Sequence, residues 1–515
     1  MKKVTKLLER LSGLKSSIAR YPLTAVFLLV IAFFVAESIN TEKNNTKIIL
    51  ALVVGAMMCA VLQVAQERFF SKPAIRIILM GMGSILTFGY YMILRAAPRL
   101  SLEIGIRTAV VLLALFFAFI WVPVIRSKVT FNESFIVVFK SFFHSTLYAA
   151  VIMGGCSLII MAVDTLIMNV SDKAYSHTSN IVFVLFAPLF FLSLIPVYPG
   201  KKNEEMEADK IALQEEKVNK ASFCPKFLEV LISYIIIPLT AVFTIILILY
   251  IIRNIRGEFW TNNLLEPLLV SYAIIIIIVY ILASRLENKF AGYFRKIFPK
   301  VLVPIVLFQI ASSILSLGDT GITHTRYFVI IFGVFAACAG IAMSVLPVNK
   351  NGILAAMLIG FSLVSIIPPL DAFTISRTNQ TDLLKTTLTK NEMFKDSKIF
   401  PNSNISDADK KVIVSTVQYL EMMEYTDRIA WLPEDFTVYE DFYNTFGFNE
   451  YEAVKDTNKN IYVSLNIKKP ITITGYDFMI RTYVNSDENI DPLICNLNNG
   501  NDRYRLEKEL LGDQQ

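Results

Sequence analysis

The chain has 515 residues, of which 54% are hydrophobic and only 18% are charged, with a mean hydropathy of +0.54. This balance excludes a wholly soluble protein and predicts a multi-pass membrane protein. Charge is unevenly distributed, because residues 370–515 hold 16 Lys and Arg against 24 Asp and Glu, whereas residues 1–369 hold 33 against 19. A basic membrane part and an acidic soluble tail are expected in one chain.

The N-terminus predicts an uncleaved first span. The first twenty residues are basic, and the apolar run Leu23–Ala36 is followed by acidic ESINTEKNN where a signal peptide would carry a small-residue cleavage site. The five cysteines have no metal or redox spacing and do not indicate a compartment.

Eleven apolar runs approach or reach the length of about 17–25 residues that crosses a bilayer. They are Tyr21–Ala36, Lys47–Ala65, Ala74–Leu94, Arg107–Val124, Phe135–Leu158, Ile181–Val197, Phe227–Ile252, Leu265–Ala283, Val301–Leu317, Tyr327–Leu346 and Ile353–Pro368. Because Phe135–Leu158 could extend toward Val170, counts of ten or twelve stay open.

Lys and Arg set the expected orientation. With the N-terminus inside, the inside segments hold 23 basic residues and the outside segments hold nine. This bias predicts a cytoplasmic N-terminus, and an odd number of spans then places the tail outside. We expect a basic N-terminus (1–20), a membrane domain (21–369) with a cytoplasmic loop (199–226), and an extracytoplasmic domain (370–515).

Three segments outside the spans have readable patterns. Lys201–Lys220 alternates in charge, which favours a short helix. Ser406–Met423 opens with capping residues and has apolar positions at helical spacing, whereas Ile461–Val484 alternates as strands do. The predicted fold is a mainly α membrane protein of about eleven transmembrane helices, followed by a small C-terminal α+β soluble domain.

The aromatic segment Tyr425–Tyr451 interleaves nine aromatic residues with acidic ones. A stacking surface for sugar or peptide is one interpretation. The core of a small domain is the favoured one.

Sequence motifs do not indicate an enzyme. The sequence contains no P-loop, HExxH, GxSxG after a strand, CxxC or placed GxGxxG, and its three histidines are scattered. We therefore predict no catalytic, cofactor or metal site and no nucleic-acid partner.

Polar residues inside the spans are candidate functional positions, because charge at bilayer depth costs several kcal/mol. Lys140 and His144 are four residues apart and share a helix face. The competing interpretation is that Lys140 reaches the inner surface and His144 bonds a neighbouring helix. Gln309 lies mid-span, where helix packing is favoured over pore lining.

The polar turn, Gly318–Tyr327, carries the remaining candidates. They are Asp319, Thr323, His324, Arg326 and Tyr327. We expect Thr323 to cap a helix, Arg326 and Tyr327 to lie at the water interface, and Asp319 to pair with Arg326. An alternative makes Asp319 and His324 an acid/base pair.

Three stretches carry a family resemblance: FAGYFRKIFPKVLVPIVLFQIASSI (Phe290–Ile314), GITHTRY (Gly321–Tyr327) and ITGYDFMI (Ile473–Ile480). With them, the chain from about residue 20 to 485 resembles a bacterial membrane family known as domain of unknown function 4153. The resemblance implies a polytopic membrane region and a bacterial cell membrane, with no active site to carry over.

The expected role is a transporter-like or scaffold component of the cell envelope. Gln309, Asp319, Arg326 and Lys140 would line a transport path. The alternatives are a membrane-embedded enzyme acting on lipid or lipid-linked sugar, and a sensor with a ligand-binding tail. The expected partners are the lipid bilayer and other envelope membrane proteins, and the sequence does not specify an oligomeric state.

Overall fold

The computed structural model describes residues 13–199, 208–254, 266–433, 436–453, 495–499 and 502–506. Within these ranges, eleven helices are long and apolar enough to cross a membrane. A shorter, charged helix, Ala208–Ser222, lies between two of these spans and is numbered with them as α7. The helices in chain order are α1 Pro22–Thr41, α2 Thr46–Phe69, α3 Pro73–Ala96, α4 Leu102–Val124, α5 Phe131–Leu166, α6 Lys173–Ser193, α7 Ala208–Ser222, α8 Lys226–Arg253, α9 Glu266–Ala283, α10 Lys289–Leu315, α11 His324–Val345 and α12 Val348–Ile366. Each predicted run overlaps one of the eleven, so the chain is a multi-pass integral membrane protein.

Local sequence sets where several helices begin. Pro22 and Pro73 occupy the first helical position, where a missing N–H costs nothing. At the start of α5, the Thr130 hydroxyl accepts from Glu133 N at 3.4 Å, and Glu133 accepts from Thr130 N at 2.7 Å. This capping box begins the longest helix.

Small residues let the spans pack closely. A Cβ added to Gly333 or Gly340 of α11 would lie 2.8 Å from the side chain of Ile310 or Val303 on α10. Backbones therefore approach at this contact, as in other membrane bundles. Large apolar side chains on other faces, such as Ile77 of α3, are exposed and suit contact with lipid.

The two ends of the bundle differ in the residues that they contain. At the basic end, Arg20 pairs with Glu67 at 2.7 Å, and Arg68 donates to the carbonyl oxygen of Pro199 at 2.6 Å. Arg107, near the start of α4, lies at the other end and pairs with Asp371 of the tail. We call this end of the bundle the docking end.

The tail contains three α-helices and two antiparallel strand pairs in the described residues: α13 Ala372–Lys390, β1 Phe394–Lys395, β2 Lys398–Ile399, α14 Asp407–Met422, α15 Val438–Phe446, β3 Cys495–Asn499 and β4 Asp502–Leu506. The predicted helix at Ser406–Met423 is confirmed, and the Ser406 hydroxyl accepts from Asp409 N at 3.1 Å. The predicted α+β domain is not supported, because the described tail is mainly helical and Ile461–Val484 lies outside the described residues.

Aromatic side chains form much of the tail's core. The buried ones from the aromatic segment are Tyr425, Phe436, Phe442, Phe446 and Phe448. Tyr439, Tyr443 and Tyr451 are exposed. The core interpretation of this segment is therefore confirmed for its five buried members.

Candidate functional site

The polar turn connects α10 to α11 at the docking end. Its first half forms a one-turn helix, Leu317–Thr320, after which Gly321 has φ +66°. Thr323 caps α11, and its hydroxyl accepts from Arg326 N at 3.4 Å. The turn thus reverses the chain within a few residues and starts the next span.

Two side chains of α13 hold the backbone of the polar turn. Asn379 Oδ1 accepts from Ile322 N at 2.6 Å, and Gln380 Nε2 donates to the carbonyl oxygen of Thr320 at 2.9 Å. Gly321 lies between these two bonds. The polar groups of the turn are therefore used to bind the tail.

His324 is buried against the tail. Its backbone N donates to the Tyr419 hydroxyl at 2.9 Å, and its ring Nδ1 lies 3.0 Å from the same oxygen. The imidazole stacks with the rings of Phe373 and Tyr419. A ring enclosed in this way is placed to secure the start of α11 and is poorly placed to exchange protons with a substrate in water.

Arg326 and Tyr327 also bond to backbone carbonyls. Arg326 Nη1 donates to the carbonyl oxygen of Ser316 at 2.6 Å, and the Tyr327 hydroxyl donates to that of Leu370. The predicted partner of Arg326 was Asp319, whose side chain lies outside the described residues. Arg326 therefore ties the end of α10 to the start of α11.

A buried ion pair joins α4 to Asp371, the residue that caps the first helix of the tail. Arg107 Nη2 lies 2.6 Å from Asp371 Oδ1, and its guanidinium also donates to the carbonyl oxygen of Ile366. The Asp371 oxygen caps α13 by accepting from the N–H groups of Phe373 and Thr374, each at 3.1 Å. One carboxylate thus neutralises the arginine and begins the tail's first helix.

Glu103 extends this pair into the tail. Its Oε1 accepts from Arg107 Nε at 2.9 Å, and its Oε2 accepts from the Tyr425 hydroxyl at 3.1 Å. Arg107 also lies over the Phe373 ring, 4.7 Å from its centroid. The docking end is therefore joined to α13 and to the residues after α14 by one connected polar network.

Acidification is expected to weaken this contact. Burial alone would raise the pKa of Asp371, but hydrogen bonds from Thr374, the charge of Arg107 and the Phe373 N–H hold it below its ordinary value. As pH falls, the Asp371 carboxylate therefore takes up a proton in the unfolded chain before it does so in the folded protein. Its contribution to the stability of the fold is complete above the ordinary pKa of about 4 and is lost as pH falls toward the pKa of the folded protein.

Thermal unfolding of the purified protein in detergent, from neutral pH down to about pH 3, measures this loss. Asp371→Asn is the control, since it keeps a capping oxygen but cannot titrate. The variant should lose less stability on acidification than the parent protein. Identical slopes for the two proteins would contradict the prediction.

The remaining candidates lie elsewhere. Lys140 and His144 line a cavity of about 130 Å³ between α5, α6 and α7, where Lys140 Nζ donates to the carbonyl oxygen of Phe223 at 2.6 Å. His144 Nδ1 lies 2.7 Å from the carbonyl oxygen of Lys140. Gln309 is buried between α10 and α11, and its Nε2 donates to the carbonyl oxygen of Val329 at 3.5 Å.

The polar turn therefore comes together with residues that sequence reasoning missed, while Lys140, His144 and Gln309 stay apart from it. The missed residues are Glu103, Arg107, Asp371, Tyr419 and Tyr425. Asp371 carried a usable signal, because an Asp directly after Pro368-Pro369-Leu370 and before a helical stretch is a cap candidate. No group of three or more His, Cys, Asp or Glu residues suited to a metal ion occurs among the described residues.

Comparison with known proteins identifies one family model, described as "Domain of unknown function (DUF4153)", which matches residues 23–391. The match includes the spans, the polar turn and α13, and it ends before the stretch Ile473–Ile480. No curated protein and no solved structure matches the chain.

Proposed function

The chain belongs to the family of domain of unknown function 4153, and from that premise we propose that the protein is a non-catalytic scaffold of a bacterial cell envelope. Its membrane bundle holds the tail in a fixed position at the membrane surface. The membrane bundle contacts the lipid bilayer. The exposed surface of the tail binds other envelope membrane proteins.

The observation that carries this proposal is a hydrophobic core shared by tail and bundle. Tyr327 of α11 is a buried member of the tail's core, which also contains Phe373 and Leu420. Ile106 of α4 and Phe328 of α11 pack against the same cluster. A tail that moved freely on a linker would bury its core by itself, whereas here Tyr327 is part of this core and Ile106 and Phe328 pack against it.

We propose that the bundle is oriented in the membrane with its basic end in the cytoplasm. The basic end contains Arg20, Arg68 and α7, and the excess of basic residues on that side supports a cytoplasmic position. The docking end and the tail are then extracytoplasmic. The corresponding division is a basic N-terminus (1–20), a membrane domain (21–369) and a tail domain (370–515).

Reporter fusions test this orientation. Alkaline phosphatase joined after Gln515 is expected to be active, because it folds outside the cytoplasm, whereas the same enzyme joined after Ser222 should be inactive. A fluorescent protein that matures only in the cytoplasm should give the opposite pattern at both positions. Cytoplasmic signal from the fusion after Gln515 would contradict the extracytoplasmic tail.

Two other functions have less support in the geometry. The enzyme hypothesis needs His324 as an acid or base, yet this side chain is buried between aromatic rings. The transport hypothesis needs a polar path, yet Gln309 is enclosed in a helix contact, and the cavity at Lys140 lies apart from the polar turn. Solute uptake by vesicles containing the protein would favour transport over the scaffold.

A further inference from the structure

An open cleft of about 440 Å³ lies on the tail beside α13. It is lined by Arg377, Thr378, Thr381, Asp382, Arg428 and Ile429. Two arginines, two hydroxyls and one carboxylate give the lining an excess of positive charge. The chemistry of such a surface suits an anion with several acceptor oxygens.

Both arginines are positioned by the same aromatic ring. The guanidinium carbons of Arg377 and Arg428 each lie 5.6 Å from the centroid of the Tyr425 ring. The hydroxyl of Tyr425 is bonded to Glu103 and its side chain is buried, so the ring is fixed. A cation–π contact attracts the positive charge and uses none of the guanidinium N–H donors.

Neither arginine has a carboxylate within ion-pair distance in the described part of the chain. Glu103 is engaged with Arg107 and Tyr425, and Asp382 lies on the cleft wall without pairing with either arginine. By contrast, Arg107 at the same end of the bundle is paired with both Asp371 and Glu103. The donors of Arg377 and Arg428 are therefore available to a ligand.

The cleft lies next to the ends of two spanning helices. Arg377 is in the second turn of α13, and only residues 367–371 separate this helix from the end of α12. Glu103, which holds Tyr425, is in the first turn of α4, a spanning helix. Spanning helices end near the edge of the hydrocarbon core, and the lipid phosphate groups lie just outside that edge.

We propose that Arg377 and Arg428 bind a phosphoryl group, supplied by a lipid head group at the membrane surface. The same chemistry would accept free phosphate. This binding site is independent of the scaffold role and of the side of the membrane on which the tail lies.

The test uses the full chain, purified in detergent free of phospholipid. Calorimetric titration with short-chain phosphatidic acid, inorganic phosphate and short-chain diacylglycerol separates the sources. Binding of phosphatidic acid alone assigns the site to a lipid head group, and equal binding of inorganic phosphate assigns it to a free anion. Absence of binding by both phosphate-bearing probes, or equal binding of diacylglycerol, would overturn the proposal.

Arg377→Gln with Arg428→Gln should weaken phosphatidic acid binding by about tenfold or more, since a hydrogen bond to a charged group is worth at least this much. The matched control, Lys398→Gln with Lys411→Gln, removes the same charge from exposed positions elsewhere on the tail and should leave binding unchanged. If the arginine variant does not fold, Arg377→Lys with Arg428→Lys keeps the charge and should still bind more weakly than the parent, because lysine cannot donate two parallel bonds. Equal losses in the arginine and control variants would also overturn the proposal.

Discussion

Replacing Arg107 with alanine is expected to lower the free energy of unfolding by about 3 kcal/mol, the lower end of the cost of breaking a buried ion pair. Asp371 has no exposed surface, and its Oδ1 lies 2.6 Å from Arg107 Nη2. Without the arginine, the carboxylate stays buried with no charged partner within ion-pair distance. The lower end applies because the Arg107 side chain is 24% exposed, so water can replace part of its interaction.

Thermal unfolding in detergent and limited proteolysis near residue 370 measure this effect, because a loosened tail exposes the connection between α12 and α13. Arg99→Ala is the matched control, since Arg99 is an exposed arginine at the same end of the bundle. Adding Asp371→Asn to Arg107→Ala should recover part of the loss, because the unpaired charge is removed. Equal stability of the Arg107 and Arg99 variants would contradict the prediction.

Replacing Gly321 with alanine is expected to cost about 3 kcal/mol, from a strained backbone at about 1–3 kcal/mol and two weakened hydrogen bonds at about 1 kcal/mol each. Gly321 has φ +66° and ψ −174°, a region that L side chains rarely adopt. An added Cβ would lie 2.7 Å from Gln380 Nε2 and 2.8 Å from Asn379 Oδ1. These are the two groups that bind the polar turn.

Gly105→Ala is the control for this substitution. Gly105 lies in the helix α4 at the same end of the bundle, and a Cβ added there meets nothing within 4 Å. Its replacement should leave stability unchanged or raise it by up to about 1 kcal/mol, the helix preference of alanine over glycine. The prediction fails if the two alanine variants unfold at the same temperature and resist protease equally.

Apolarity predicted the positions of the spans well and their ends less well. The run beginning at Val301 was correct as a span, but α10 begins earlier, at Lys289, where the Asn288 side chain accepts from Ala291 N at 3.0 Å. The added turns contain charged residues, which a hydropathy pattern excludes, together with Phe294, which is fully buried. A run defined by its mean apolarity does not show that one face of these added turns is buried.

The candidate site was predicted in part. The clustering of polar residues between two spans points to Thr323, His324, Arg326 and Tyr327. Their partners, Tyr419 among them, are distant in sequence, and the carbonyl groups of Ser316 and Leu370 carry no signal at all. Arg107 stands at the edge of an apolar run, and nothing in the neighbouring sequence indicates that Asp371 is its partner.

Repeated crossing of the membrane follows from the sequence alone, because apolar length and local capping residues act within each segment and need no partner. The excess of basic residues at one end of the bundle also follows from the sequence. The contacts of the polar turn follow only from the packing of the helices. Its hydrogen bonds to Asn379 and Gln380, and the pairing of Arg107 with Asp371, depend on which helices lie side by side, and packing of the whole bundle sets that arrangement.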